Sequence, residues 1–266
     1  MGNSISIIKE IVTNRKLMMN LAKNDFKTKF AGSYFGIFWA FVQPIVTVLV
    51  YWFVFQVGFG AQPVNGCPYV LWLTAGLVPW FYFQDLLNGG VNAFLEYNYL
   101  VKKVVFQISI LPCVKVISAL FVHLFFVLVT IVIYLVYGVK FDLYTLQIIY
   151  YSFSLTVFGL ALSYFNSSIV IFFKDLSQLI MILLQVGVWI TPIMWQLDIL
   201  PEKWQTVMKL NPIFYIVRGY RQALYDKEWF WTYWQNTIYF WVVTIVLFII
   251  GTKVFSKLKV HFSDVL

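Results

Sequence analysis

The stretch FWAFVQPIVTVLVYWFVFQVGFGAQPVNGCPYVLWLTAGLVPWFYFQ, residues 38–84, contains no charged residue. The charge-free run begins at Phe30, and it is too long for one membrane-spanning helix because about 20 residues cross a bilayer. Gly, Pro and Asn interrupt the run at 58–68, where they are typical of a turn. The run therefore predicts two transmembrane helices, over about 35–57 and about 69–87.

The composition of the whole chain indicates an integral membrane protein. Of the 266 residues, 61% are hydrophobic and 11% are charged, whereas soluble domains carry roughly 25% charged residues. We expect an all-α protein with six transmembrane helices inside a transmembrane domain over 35–256, flanked by terminal segments 1–34 and 257–266. The other four spans are predicted over about 108–136, 146–173, 176–195 and 237–255.

The distribution of Lys and Arg predicts the orientation. Basic residues precede the first span, occupy the loop after the second span at Lys102 and Lys103, and follow the last span. Both termini are therefore expected in the cytoplasm. The net charge of +8 is scattered around the spans, which argues against a nucleic-acid partner. Cys67 and Cys113 are predicted near opposite membrane faces, so they should not pair, and they show no metal-ligand spacing.

Residues 17–30, LMMNLAKNDFKTKF, suit an amphipathic helix lying on the membrane surface. At 100° per residue an apolar face forms, with Lys23 and Lys27 on a polar face, while Asp25 and Lys29 blur the boundary. The alternative is a basic flank that only sets topology. The residues of the apolar face are Met18, Met19, Ala22, Phe26 and Phe30.

The chain shows no chemistry of its own that could drive transport or catalysis. It has no phosphate loop, and no His, Asp and Glu cluster of the kind that a membrane enzyme needs. Asp85 and Lys115 are predicted near cytoplasmic span ends, where a lysine can reach water. His123 is predicted to be a hydrogen-bonded packing residue, with a proton relay as the alternative. Asp175 is a predicted N-cap of the fifth span, with a functional role as the alternative.

The stretch LNPIFYIVRGYRQAL, 210–224, is apolar but too short to cross a bilayer. Asn211-Pro212 is a helix-start signal, and the preceding residues, which include Trp204, predict a partner helix over 200–210. We expect a re-entrant hairpin at the outer mouth. Arg218 and Arg221 are three apart and share a helix face, which should meet water or headgroups. They would bind phosphate groups or simply anchor the hairpin at the headgroup level.

Six motifs, in this order, resemble the ABC-2 family, and within it the permeases of exporters for lipid-linked polysaccharides such as wall teichoic acid, O-antigen and capsule. The resemblance covers nearly the whole chain and is closest to the teichoic-acid branch. Two departures are Gln107, where the family often has Pro, and Lys174, where it often has Arg. The motifs are DFKTKFAGSYFGIFWAFVQPIVTVLVYWFVF (25–55), GLVPWFYF (76–83), LVKKVVFQISILP (100–112), FFKDLSQ (172–178), TPIMW (191–195) and LNPIFYIVRGYRQAL.

The resemblance implies a homodimer of this chain in a bacterial plasma membrane, with two copies of an ATPase subunit that uses ATP and Mg, and no cofactor on this chain. It implies an undecaprenyl-pyrophosphate-linked polysaccharide as cargo. A coupling helix over about Glu96–Val105 would dock on the ATPase through Glu96, Tyr99, Leu100, Lys102 and Lys103, and its alternative is a plain polar loop. The surface helix, with Lys23, Phe26, Lys27 and Phe30, would act as a gate.

Rival interpretations are an O-antigen or capsule exporter, another ABC-2 cargo, a secondary transporter, and a membrane glycosyltransferase or acyltransferase. The scarcity of mid-span carboxylates argues against a secondary transporter, and the missing catalytic cluster argues against an enzyme.

Overall fold

A computed structural model describes residues 2–29, 32–103 and 106–266, and this part of the chain is helical. We number the α-helices in chain order. They are α1 Gly2–Thr13, α2 Arg15–Thr28, α3 Trp39–Trp52, α4 Tyr69–Val91, α5 Ala93–Glu96, α6 Asn98–Val101, α7 Leu111–Val136, α8 Gln147–Val170, α9 Leu176–Ile190, α10 Glu202–Lys209, α11 Pro212–Arg221, α12 Trp234–Leu258 and α13 Phe262–Val265. Short 3-10 or π turns extend several of them: Gly36–Phe38, Phe53–Gly58, Ile108–Ile110, Leu143–Leu146, Leu197–Ile199, Gln222–Asp226 and Lys259–His261.

Five helical segments of the described chain are long and apolar enough to cross a membrane: Gly36–Gly58, Tyr69–Val91, Ile108–Val136, Leu143–Val170 and Trp234–Val265. They agree with five of the predicted spans and establish a multi-pass membrane protein.

The predicted fifth span, 176–195, is shorter than expected, since α9 is apolar but ends at Ile190. Thr191 precedes Pro192 and has an extended backbone with ψ of 128°. A residue before proline is sterically disfavoured in the helical region, which explains the early end. At 1.5 Å per residue, α9 is about 22 Å long.

The packed core surrounds α4, and α3 lies outside it. In the most hydrophobic window of Tyr69–Val91, 78% of the residues are buried, against 6% for Gly36–Gly58. Glycines let the helices around α4 approach closely: a Cβ at Gly159 of α8 would lie 2.1 Å from Leu86 of α4. The apolar surface of α3 must therefore meet lipid or another protein.

Of the two predicted N-caps, one is present in the structure and the other is not. The Asn211 side chain accepts a hydrogen bond from the Ile213 backbone N–H, so the predicted cap before Pro212 is confirmed. The predicted cap at Asp175 is wrong, because its backbone is helical (φ −66°, ψ −13°) and its side chain makes no cap bond. An N-cap residue needs an extended backbone to turn its side chain toward the first free N–H groups.

Candidate functional site

A cavity of about 540 Å³ lies between α3, α4, α7 and α9. Aromatic side chains from all four helices form much of its wall, and the rings of Tyr51 and Trp189, with centroids 6.4 Å apart, bridge α3 and α9. Rigid rings with apolar faces and polar edges suit a ligand that is itself partly apolar and partly hydroxylated. The aromatic lining residues are Trp39, Tyr51, Trp80, Phe81, Tyr82, Phe126 and Trp189.

Neutral polar side chains also line this cavity. Gln43 and Thr47 come from α3, and Gln185 comes from α9. At one end Lys29 forms an ion pair with Asp85, which connects the segment after α2 to α4. The cavity therefore offers hydrogen-bonding groups on aromatic walls, with a charged pair at one end.

His123 lies on the wall of this cavity and is 2% exposed. Its Nε2 lies 3.0 Å from both the Ser152 and the Tyr220 hydroxyl oxygens, and its ring stacks on Tyr82 with centroids 4.2 Å apart. These contacts confirm the prediction of a hydrogen-bonded packing residue. Its Nδ1 has no hydrogen-bond partner among the described residues.

A second cavity, of about 300 Å³, shares Lys29, Asp85, Asn88 and Ala119 with the first. Its wall also includes Asp25 and Thr28 of α2, so it extends from the larger cavity to α2. The two cavities together connect the predicted gate helix with the centre of the bundle.

An ion cluster with a buried centre forms part of the wall of the second cavity. The Lys115 Nζ of α7 lies 2.6 Å from the Asp25 carboxylate of α2 and also donates to Glu96 of α5. Lys115 and Asp25 are each 8% exposed. The expectation that Lys115 reaches water is wrong, because two carboxylates stabilise its charge inside the protein instead.

Tyr97, between α5 and α6, completes this ion cluster. Its hydroxyl donates to the same Asp25 oxygen at 2.8 Å. Burial and the neighbouring Asp25 carboxylate raise the pKa of the Tyr97 hydroxyl well above its usual range. The hydroxyl therefore stays protonated and remains a donor at physiological pH.

A helix, α2, is present where the amphipathic helix was predicted, but its buried face differs from the prediction. Met18, Ala22 and Asp25 are buried, whereas Met19 is 39% exposed. The buried face is rotated relative to the predicted apolar face, so that it includes Asp25, which pairs with the buried Lys115. Among the predicted gate residues, Lys23 and Lys27 are exposed, Phe26 packs on Phe121 of α7 with centroids 5.8 Å apart, and Phe30 lies outside the described residues.

The helix predicted over Glu96–Val105 is divided. α5 and α6 are single turns separated at Tyr97, and residues 104 and 105 lie outside the described chain. Tyr97 interrupts the helix because its backbone has a ψ of 28°. We call residues 93–103 the coupling segment. Tyr99 is 55% exposed, Leu100 is half-buried, and Lys102 and Lys103 are exposed.

The hairpin sequence forms two short helices, α10 and α11, with Asn211 between them and the half-buried Pro212 opening α11. Trp204 on α10 is 53% exposed. Arg218 is half-buried, with its guanidinium carbon 4.3 Å from the centroid of the Tyr233 ring. The helix α11 ends at Arg221, three residues before the predicted end at Leu224, and continues as a π turn.

The expectation that Arg221 meets water, headgroups or phosphate is wrong. Arg221 is 8% exposed, and its guanidinium lies 3.5 Å from the Trp72 ring centroid. Its Nη1 and Nη2 donate to the carbonyl oxygens of Pro192 and Ile193 at 2.9 and 2.8 Å. These carbonyls are available because α9 stops just before them. Arg221 therefore fastens α11 to the end of α9 and to α4.

The helices α3 and α9 each expose apolar side chains on a side turned away from the larger cavity. Leu49 and Val50 are exposed on α3, and Leu183 and Val186 are exposed on α9. These apolar faces must meet lipid or another protein.

The sequence contains signals for part of this site. His123 in an apolar span indicated a buried hydrogen bond but not its partners, whereas Lys115 was expected to reach water. The sequence gives no comparable signal for the aromatic cavity, because it does not distinguish aromatic residues that line a cavity from those that face lipid.

Comparisons with known proteins agree with the fold. Residues 16–225 match the ABC-2 type transporter family. The chain is similar to two proteins of Klebsiella pneumoniae named O-antigen export system permease protein RfbA, each 26% identical over 251 residues, with 94% of this chain and 95% of the relative covered. It is 25% identical over 229 residues to the protein of the same name from Myxococcus xanthus, with 84% and 86% covered.

Proposed function

Because the chain belongs to the ABC-2 type transporter family, we propose that it is the membrane subunit of an ATP-driven exporter of lipid-linked cell-surface polysaccharide. Members of this family are transporter subunits, not enzymes in themselves, and work with an ATPase partner. The membrane is the bacterial plasma membrane.

The observation that carries the proposal is the aromatic cavity between α3, α4, α7 and α9. Ring faces can stack on the C–H faces of sugars, and the amides of Gln43 and Gln185 can both donate hydrogen bonds to sugar hydroxyls and accept them. A secondary transporter would rather pair ionisable groups at mid-span. Here Asp85 is paired with Lys29 at one end of the cavity.

The chain crosses the membrane six times in this proposal, with α9 as the short span between α8 and the hairpin. Both termini then lie in the cytoplasm, as the positions of the basic residues favour. The hairpin α10–α11 enters the outer leaflet and returns, since neither helix is long enough to cross. Arg218 anchors it near the headgroups or contacts a phosphate of the cargo.

The working transporter comprises two copies of this chain and two ATPase subunits. The exposed apolar faces of α3 and α9 support the dimer, because a second copy could cover them. The coupling segment faces the ATPase with Glu96, Tyr99, Leu100, Lys102 and Lys103, and α2 gates the cytoplasmic entrance. ATP and Mg bind to the partner subunit.

The cargo is a polysaccharide on a polyprenyl pyrophosphate such as undecaprenyl pyrophosphate. The relatives named O-antigen export permeases favour an O-antigen-like polymer over the other candidates. Wall teichoic acid and capsule remain alternatives within the same class.

The test is reconstitution. Proteoliposomes that contain this chain and its ATPase should move an undecaprenyl-pyrophosphate-linked O-antigen to the opposite leaflet only when ATP is hydrolysed. Export without ATP, or an assembled complex that hydrolyses ATP but moves no lipid-linked glycan, would contradict the proposal.

A further inference from the structure

Three structural elements meet at Lys115. Its ammonium binds Asp25 of α2 and Glu96 of the coupling segment, and it lies 5.2 Å from the centroid of the Tyr97 ring. Tyr97, also in the coupling segment, binds the same Asp25 oxygen that Lys115 binds. Two neighbouring residues of the coupling segment therefore contact both members of one buried ion pair.

The contacts differ in exposure. Lys115 and Asp25 are each 8% exposed, whereas the Glu96 side chain is 52% exposed. A buried pair is costly to separate because each charge would be left without compensation. An exposed carboxylate exchanges its partner for water easily. The Asp25–Lys115 pair thus joins α2 to α7 durably, while the Glu96 contact can break and reform.

We propose that this ion cluster transmits movement from the coupling segment to α2. A displacement of the coupling segment pulls Asp25 through the Tyr97 hydroxyl and releases Lys115 from Glu96. The helix α2 then tilts about the Asp25–Lys115 pair and changes the wall of the 300 Å³ cavity, to which it contributes Asp25 and Thr28. Lys115 and Tyr97 are positioning residues in this account, which rests on the proposed function because the ATPase supplies the displacement.

The alternative is that the ion cluster only stabilises the fold. The two roles predict different ratios of export to ATP hydrolysis. A stabilising role changes the amount of complex, so export and hydrolysis change together. A transmitting role lowers the export achieved per ATP hydrolysed.

The experiment measures both rates in proteoliposomes with the ATPase, per assembled complex. The test variant is Glu96→Gln with Tyr97→Phe, which keeps both shapes and removes the contacts of the coupling segment. We expect export to fall about tenfold while hydrolysis stays within about twofold, a typical coupling between two sites. Asp142→Asn is the control, because it breaks the ion pair with Lys227 elsewhere in the chain and should leave the ratio unchanged.

A second variant, Asp25→Asn with Lys115→Met, removes both buried charges and leaves neither unpaired inside the protein. We expect it to assemble in normal amount and, like the first variant, to export less glycan per ATP hydrolysed. Recovery of normal export by this variant, or a proportional fall of both rates in the first variant, would overturn the proposal. An unchanged ratio in the first variant would also overturn it. Failure of the unmodified complex to export any glycan would instead contradict the proposed function.

Discussion

Replacing Arg221 by lysine tests the arrangement of the hairpin most sharply. Two of its N–H groups bind the Pro192 and Ile193 carbonyls at 2.9 and 2.8 Å, and its flat face lies 3.5 Å from the Trp72 ring centroid. A lysine ammonium keeps the charge but cannot reproduce the planar fork and the stacking. We expect the loss of one charge-assisted bond, about 1.5–3 kcal/mol, and of about 1 kcal/mol of stacking.

The sum is about 3 kcal/mol, which corresponds to a fall of roughly 6–12 °C in melting temperature for a protein of this size. The assay is thermal unfolding of the purified chain in detergent, followed by size-exclusion chromatography. Arg218→Lys is the matched control, because the half-buried Arg218 stacks on the Tyr233 ring and its replacement should cost less than about 1 kcal/mol. Equal melting temperatures for Arg221→Lys and the unmodified chain would show that Arg221 does not hold the hairpin in place, and so would equal shifts in both variants.

Three further predictions concern the partner and the packing. The purified chain alone should neither bind nor hydrolyse ATP in a radiolabelled nucleotide assay, and specific turnover would contradict its assignment as the membrane subunit. Tyr99→Ala or Leu100→Ala should weaken pull-down of the ATPase, since burying a large apolar side chain contributes about 1.5–3 kcal/mol; unchanged pull-down and export in both would favour a plain loop. Gly219→Ala should lower the melting temperature, because its Cβ would lie 2.1 Å from the Tyr151 ring, and such overpacking costs about 1–3 kcal/mol. Gly58→Ala is its control, because its Cβ would lie 3.8 Å from the Phe53 carbonyl oxygen, an ordinary van der Waals distance. Equal melting temperatures for the two variants would contradict the packing of α11 on α8.

Hydropathy and local signals predicted most of the fold. The charge-free run before Asp85 was sufficient to divide the first two spans at the Gly and Pro cluster. The cap at Asn211 was predictable because its hydrogen bond to Ile213 is local. The end of α9 was missed, although Pro192 carries the signal, because the apolar residues continue to Trp195.

The polar contacts could not be predicted, since their partners are distant in sequence. Arg221 binds carbonyls near residue 192, and Asp25 binds Lys115, ninety positions away. An amphipathic pattern assigns such charges to the polar face, because it contains no information about a partner inside the protein. The cavity depends on which side of each helix faces its neighbours, and uniformly apolar helices leave that undetermined.

In the proposed transporter, the glycan passes through the aromatic cavity. A photo-crosslinking amino acid at Gln185, on the cavity wall, should attach to the polysaccharide when complexes are illuminated during ATP-driven export. The same group at Ile149, an exposed apolar position on α8, is the control and should attach to lipid. Crosslinking of the glycan at Gln185 and not at Ile149 is the predicted result, and crosslinking at Ile149 alone or equally at both positions would contradict the account.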